Sequence, residues 1–271
     1  MNVKDKTIII TGASSGIGKA LAEELAQRGA NLVLAARQYV TLCEITANLE
    51  AKYAIKALAV QTDVSKEIDC EVLVKQAVAT FGKVDILINN AGLSMRALFK
   101  DLDLAVLKNL MDVNFWGTVY CTKYALPEIL KTKGSIVAVS SIAGYRGLPG
   151  RTGYSSSKFA MNGFMEALRT ELLRTGVHVM VACPGFTTSN IRVAALAKDG
   201  AAHGETSMEE GKMMTAEEVA TRISDGIVNR KRTLIMTRQG KLAVWMNKLF
   251  PAFTDKKVFE LFAKEKNALI K

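Results

Sequence analysis

No apolar run in the sequence approaches the ~18 residues that a membrane-crossing helix needs. Cysteine is scarce: Cys43, Cys70, Cys121 and Cys183 are scattered, with no C-x-x-C pair and no neighbouring His pair. That pattern argues against a structural zinc or a disulfide framework and for buried thiols in a reducing compartment. Histidine is scarcer still; His178 sits inside a strand pattern and His203 in a loop, so both read as structural or surface residues. Internal repeats, low-complexity tracts and obvious linkers are absent, and with 49% apolar and 23% charged residues the chain can bury a core. The apolar stretch after Lys6, Ile8 to Ile10, is too brief for a secretory signal, which predicts a cytoplasmic protein.

Most of the chain also lacks a charge imbalance. Asn229–Lys271 carries 11 Lys/Arg against 3 Asp/Glu, a surplus of +8, whereas the preceding 228 residues hold 25 basic and 23 acidic side chains, only +2. The asymmetry points to an acidic partner or anionic surface for the C-terminus rather than for the whole molecule. No nucleic-acid partner is expected.

Short β-rich runs alternate with longer helical patterns. The strands are predicted at Thr7–Ile10, Asn31–Ala35, Ala57–Val60, Val84–Ile88, Ser135–Val139, Val177–Cys183 and Thr233–Met236. Several are apolar throughout rather than alternating, as in a parallel sheet buried on both faces. Helices are predicted at Gly16–Arg28, Thr41–Lys52, Lys66–Phe81, Leu104–Leu130, Ser155–Thr175 and Thr215–Arg230, the last opened by the capping box Thr215-Ala216-Glu217-Glu218. The pattern predicts a single α/β domain, a doubly wound, Rossmann-like parallel sheet of about seven strands over residues 1–238, with a basic amphipathic helical extension over 239–271. Ligand sites belong at the carboxyl ends of the strands. The least patterned stretch, Thr188–Met214 with Gly200, Gly204 and Gly211, reads as a mobile excursion beside the site, and 187–214 as a substrate loop.

After the first strand comes Thr11-Gly12-Ala13-Ser14-Ser15-Gly16-Ile17-Gly18, then a helix. Glycines there let the backbone approach a pyrophosphate, whose charge is favoured by the free N–H groups and positive dipole end of the helix. The second strand ends Leu34-Ala35-Ala36-Arg37, without the carboxylate that would bind the 2′-hydroxyl of NAD. Arg37 can instead clamp a 2′-phosphate, which predicts NADP. Tyr154 and Lys158 lie one helical turn apart on one face. An ammonium beside a phenol favours the phenolate, and bringing the phenol's pKa from about 10 to about 7–8 would make it a general acid near neutrality. As an isolated pair these two residues would be unremarked on a solvated helix face.

In combination they are not isolated. From Thr7 to about Met236 the chain resembles the short-chain dehydrogenase/reductase family: T-G-x-x-x-G-x-G at Thr11–Gly18, Asp63-Val64, N-N-A-G at Asn89–Gly92, Asn114 in the long central helix, Ser141 thirteen residues before Tyr154, Y-x-x-x-K at Tyr154–Lys158, and Pro184-Gly185 after the sixth strand. The resemblance implies Tyr154 as acid/base, Ser141 polarising the carbonyl or alcohol oxygen, Lys158 on the nicotinamide ribose, and Asn114 holding a water in a proton relay. It implies cofactor contacts at Gly12, Ser14, Ser15, Gly16, Ile17 and Gly18, at Arg37, at Asp63 and Val64 near adenine, at Asn90, Ala91 and Gly92 near ribose, and along Pro184, Gly185 and Thr187 near nicotinamide. No metal is required.

Two features depart from the family pattern. Thr187 stands where an aliphatic residue is usual, within Pro184–Asn190, and Thr233–Thr237 runs into Arg238-Gln239-Gly240 and a basic tail instead of a Gly-rich close. Two readings follow: an NADPH-linked carbonyl reductase or alcohol dehydrogenase, or an NADP-binding regulatory protein without turnover. Val106, Phe115, Trp116, Phe159, Phe164 and Met165 exceed what one sheet face needs, and relatives pair these helices across subunits, so a homodimer or homotetramer is expected. In the tail, Pro251 divides two short helices whose apolar residues alternate with lysines. That segment either packs on the body or a neighbouring subunit with its lysines solvated, or forms a lid resting on an anionic membrane and admitting an apolar, lipid-like ketone.

Overall fold

The computed structural model describes residues 2–187, 191, 194–202, 204, 213–264 and 267–270. Seven parallel strands form one sheet in the order β3-β2-β1-β4-β5-β6-β7: β1 Thr7–Thr11, β2 Asn31–Ala36, β3 Ala57–Gln61, β4 Ile86–Asn89, β5 Ser135–Val139, β6 His178–Cys183 and β7 Thr233–Ile235. The register sets Ile8 beside Leu32 on one side and Ile86 on the other. Strand order reverses between β1 and β4, which opens a crevice at their carboxyl ends.

Burial on both faces explains the unbroken apolar strands. Ile8 and Ile10 belong to one core layer, under α1 (Gly16–Gln27), α2 (Tyr39–Tyr53) and α7 (Ala216–Val228). Ile9, between them, belongs to the opposite layer, under α3 (Glu67–Phe81), α5 (Gly117–Thr132) and α6 (Thr152–Glu171), and all three isoleucines are fully buried. At roughly 1.5–3 kcal/mol per buried branched side chain, this alternation to two layers specifies the sheet. The predicted capping box of α7 is present: Glu218 N–H donates to Thr215 Oγ1 at 3.1 Å and the Glu218 carboxylate accepts from Thr215 N–H at 3.1 Å.

Three expectations need correction. The helix predicted over Leu104–Leu130 comprises α4 (Leu104–Met111), a π turn over Asp112–Trp116, and α5. The helix predicted from Ser155 begins at Thr152, so Tyr154 lies inside its first turn. Cys43 is only half-buried, whereas Cys70, Cys121 and Cys183 are buried, and the first two, distant in sequence, bring their sulfurs to 3.5 Å. Among the described residues no helix is long and apolar enough to cross a membrane.

The C-terminal residues form α8 (Arg238–Leu249) and α9 (Pro251–Ala263). Thr237 caps α8 by accepting from Gly240 N–H at 3.0 Å, and Pro251 stands at the start of α9, where its missing N–H costs nothing.

Candidate active site

The Gly-rich turn between β1 and α1 is packed to the limit. Gly12 has φ +66°, and a Cβ there would lie 2.8 Å from Ala91 Cα; at Gly18 it would lie 2.2 Å from the Gly12 carbonyl oxygen. Asn90 fastens this turn to the end of β4, its amide donating to the Thr11 and Gly12 carbonyls at 2.9 and 3.2 Å. The Thr11 hydroxyl in turn accepts from the Asn90 and Ala91 N–H groups, both at 3.0 Å. No acidic residue occupies the first turn of α1, and Ser15 makes no side-chain cap. A smooth, anion-favouring concavity results, and its residue chemistry fits a dinucleotide pyrophosphate.

Arg37 is exposed just beyond β2, its carbonyl accepting from Gln61 Nε2 at 3.1 Å. Asp63, beyond β3, turns its carboxylate onto its own loop, accepting from Ser65 N–H at 3.1 Å and the Ser65 hydroxyl at 2.7 Å. Val64 is buried, and a Cβ at Gly117 would come within 2.8 Å of it. On the far side of the crevice Gly185 touches Thr237, Thr187 is buried with its hydroxyl donating to the Gly185 carbonyl at 3.1 Å, and Pro184 is buried. Residues 188–190, His203 and Gly211 lie outside the described residues, as does part of the predicted 187–214 loop.

Tyr154, Lys158, Asn114 and Gly92 are brought together, and Ser141 lies just beyond the carboxyl end of β5. Lys158 is 3% exposed. Its Nζ donates to the Val139 carbonyl at 2.9 Å and lies 5.9 Å from the centre of the Tyr154 ring. Burial lowers this ammonium to about 8. The neighbouring Cys183 thiol, pushed up to about 12 chiefly by burial, stays neutral. Asn114 occupies the π turn, fully buried. Its Oδ1 accepts from Leu93 N–H at 2.7 Å, and its Nδ2 donates to the Leu93 carbonyl at 3.0 Å and to Ser157 Oγ at 2.9 Å. A Cβ at Gly92 would sit 3.2 Å from Asn114 Oδ1 and 3.6 Å from Lys158 Nζ, so the absent side chain keeps open the space between them. Ser141 caps a short 3-10 turn over Ile142–Gly144, its Oγ accepting from Ala143 N–H at 3.2 Å.

The segment between Ser141 and Tyr154 is held from two sides. Toward α6, Asn162 Nδ2 donates to the Gly144 carbonyl at 2.9 Å and Leu148 N–H to Ser155 Oγ at 3.2 Å. From the extension, Asn247 Nδ2 donates to the Tyr145 carbonyl at 3.1 Å, while Arg146 donates to Asn247 Oδ1 at 2.9 Å and pairs with Asp255 at 2.6 Å. A Cβ at Gly240 would come 2.5 Å from Ile142 Cδ1, and one at Gly150 2.7 Å from Leu269 Cδ1. Ser157, Val139 and this clamp were not among the predicted site residues, and Thr11 was read only as the first residue of the Gly-rich motif. Ser157 carried a signal as the last serine of the run between Tyr154 and Lys158.

Residues 6–200 match the family model described as short chain dehydrogenase. The chain belongs to the short-chain dehydrogenase family. It is 40% identical over 191 residues to the protein called 11-beta-hydroxysteroid dehydrogenase A of Arachis hypogaea, covering 70% of this chain and 54% of that one. It is 35% identical over 250 residues to 11-beta-hydroxysteroid dehydrogenase-like 4A of Arabidopsis thaliana, covering 92% and 82%. The chain thus spans about half the length of the first curated relatives it matches. A short chain dehydrogenase/reductase from Burkholderia phymatum, solved with NAD, superposes with a TM-score of 0.84 over 93% of this chain and 96% of its own, at 24% identity, and shows the fold. An alcohol dehydrogenase from Thermococcus sibiricus, complexed with 5-hydroxy-NADP, gives 0.75 over 84% and 93%, at 25% identity.

His178 is a structural histidine: Nε2 faces the Lys231 carbonyl at 2.9 Å, an acceptor only, so Nδ1 accepts from Ser135 Oγ at 3.1 Å. Burial, its largest influence, lowers its pKa and keeps the ring neutral.

Proposed function

We propose that the protein is an NADP(H)-dependent oxidoreductase that interconverts a ketone and a secondary alcohol on an apolar, lipid-like substrate. The observation that carries this reading is the buried Lys158 ammonium held against the Val139 carbonyl, one helical turn from Tyr154 and across an open gap from Asn114. The turn Gly12, Ser14, Ser15, Gly16, Ile17 and Gly18 would hold the pyrophosphate. Arg37 would take the 2′-phosphate; Asp63 and Val64 the adenine; Asn90, Ala91 and Gly92 the ribose; Pro184, Gly185 and Thr187 the nicotinamide. When bound, the cofactor supplies the hydride for carbonyl reduction.

The chain's own residues manage the oxygen and its proton. Ser141 Oγ donates to the carbonyl oxygen as negative charge develops there, and Tyr154 Oη delivers the proton. Lys158 favours the phenolate that proton delivery leaves behind, since its charge is nearby and poorly screened by water. Asn114 anchors Leu93 and Ser157, which fixes the wall of the gap through which solvent protons return. Reversing these steps oxidises the alcohol. The names of the hydroxysteroid dehydrogenase relatives support a bulky apolar substrate. So does the apolar cluster of Met95, Ala97, Leu102, Val106 and Leu110 beside Tyr154.

Exposed aromatics on the outer helices support a homodimer or homotetramer. Trp116 is 43% and Phe159 45% exposed; Trp116 stacks on Tyr120 at 5.6 Å and meets Phe115 edge-on at 5.3 Å. Val106 and Met165, counted among these surplus residues in the sequence, are buried and belong to the core. We place the protein in the cytoplasm. The deciding experiment is NADPH oxidation against a panel of ketones, run beside Tyr154→Phe: turnover that the substitution abolishes supports the enzyme. Binding of NADPH without turnover of any ketone would leave an NADP-binding regulatory protein.

A further inference from the structure

We infer that the outer face of the α8–α9 hairpin is a docking surface for an anionic lipid bilayer. The first observation is the outer face of α8. Arg238, Lys241, Leu242, Trp245, Lys248 and Leu249 are all exposed, and their spacing of three and four residues places them on one side of the helix. The opposite side holds the protein body through Gly240 on Ile142 and Asn247 on Tyr145 and Arg146. Packing on the body therefore accounts for the inner side alone.

The second observation is the corner between the helices. Trp245, Leu249, Phe250 and Phe253 are each more than half exposed, and the Trp245 and Phe250 rings meet edge-on at 6.2 Å. Four large apolar side chains at one corner are costly in water, and a Trp among them suits the bilayer interface. Lys257 lies 5.7 Å from the Phe253 ring, and the exposed Lys248 and Lys256 flank this corner in sequence. The acidic residues described on α9 are already paired, Asp255 with Arg146 at 2.6 Å and Glu260 with Lys257 at 2.8 Å. Lys241, Lys248 and Lys256 add to the positive field of the segment.

Apolar side chains ringed by lysines match a surface that offers acidic headgroups above hydrocarbon. A second copy of the hairpin fits poorly, because the 229–271 segment carries a surplus of +8 and would meet its own sign. The inner side of α8 is bound to the segment joining Ser141 to Tyr154, so docking the outer side holds that segment one helix away from the bilayer. Docking is independent of the proposed oxidoreductase reading.

The test is co-flotation of the full-length protein with vesicles of phosphatidylcholine alone or mixed with phosphatidylserine. We expect flotation on the mixed vesicles at low salt, weakened at high salt. At about five-fold per basic residue near the surface, Lys241→Glu, Lys248→Glu and Lys256→Glu combined should lower partitioning at least about a hundred-fold. Trp245→Ser with Phe250→Ser and Phe253→Ser should abolish flotation while leaving the melting transition in place. Failure of the unsubstituted protein to float on mixed vesicles at low salt overturns the inference. So does equal flotation on phosphatidylcholine alone, or of the charge-reversed protein. Should the serine variant instead convert a non-floating dimer to a monomer in sedimentation, the face is an interface between copies. Ketone reduction in solution is a separate readout: its absence would remove the enzymatic reading and leave the flotation result intact.

Discussion

The Lys158 ammonium donates to the Val139 carbonyl at 2.9 Å, its one hydrogen bond among the described residues, and is almost wholly shielded from water. Burial brings it to about 8, below its ordinary 10.5. Between those values the unfolded chain binds more protons than the folded one, so this lysine makes stability rise with pH from about 8 to about 10.5. Lys158→Met should therefore stabilise the cofactor-free protein at pH 7 by up to about 3 kcal/mol, with the advantage shrinking across that window. Thermal melts of both proteins along a pH series check this; a Lys158→Met protein less stable at pH 7 would contradict it.

For the chemical step, Tyr154→Phe and Lys158→Ala should each slow the rate by ~10² or more with the fold intact. Combined, they should cost little more than the worse of the two, since in the proposed mechanism Lys158 acts through Tyr154. Single-turnover kinetics of the four proteins measure the non-additivity. Independent, multiplying losses would separate the two roles.

The proposed preference for NADP rests on Arg37. The unsubstituted protein should bind NADPH more tightly than NADH, and Arg37→Ala should erase most of the difference, ~1–3 kcal/mol for a charge-assisted bond. Titration of cofactor fluorescence gives both constants. Equal affinities before substitution would refute the assignment.

Trp116 and Phe159 test the assembly. Sedimentation should show a dimer or tetramer at micromolar concentration, and Trp116→Glu with Phe159→Glu should yield a monomer that still melts cooperatively, since both side chains are nearly half exposed. A monomeric unsubstituted protein would dispose of the expectation.

The five inner strands were legible in the sequence because burial on two faces leaves apolar runs such as Ile8–Ile10 that no surface segment needs, and the less buried edge strands β3 and β7 were legible from their short β-rich runs. The Gly-rich turn and the Tyr154–Lys158 pair were legible because local backbone geometry and one helical turn fix their spacing. What sequence spacing could not convey was long-range pairing. Asn90 spends its amide on the Thr11 and Gly12 carbonyls, and Arg146 reaches Asn247 and Asp255 about a hundred positions away. Helix ends shifted for a similar reason: the start of α6 at Thr152 is decided by the loop folded onto it, not by a capping residue, for Arg151 makes no side-chain cap. Val106 and Met165 were assigned to a surface because periodicity does not distinguish a helix with one buried face from one covered on two sides.

The π turn over Asp112–Trp116 can be viewed as one residue too many in a helix that would otherwise run unbroken from Leu104 to Thr132. Excising one residue, Val113 for instance, would restore regular helical winding and strengthen the backbone ladder. It would also rotate everything on one side by about 100° relative to the other. Asn114 could then no longer face Leu93 and Ser157 while Cys121, Ala125 and Ile129 remain in the core. The irregular turn lets one helix satisfy two incompatible phases, one set by the crevice and one by the sheet. A shortened, more regular variant would be the tidier fold and the poorer catalyst.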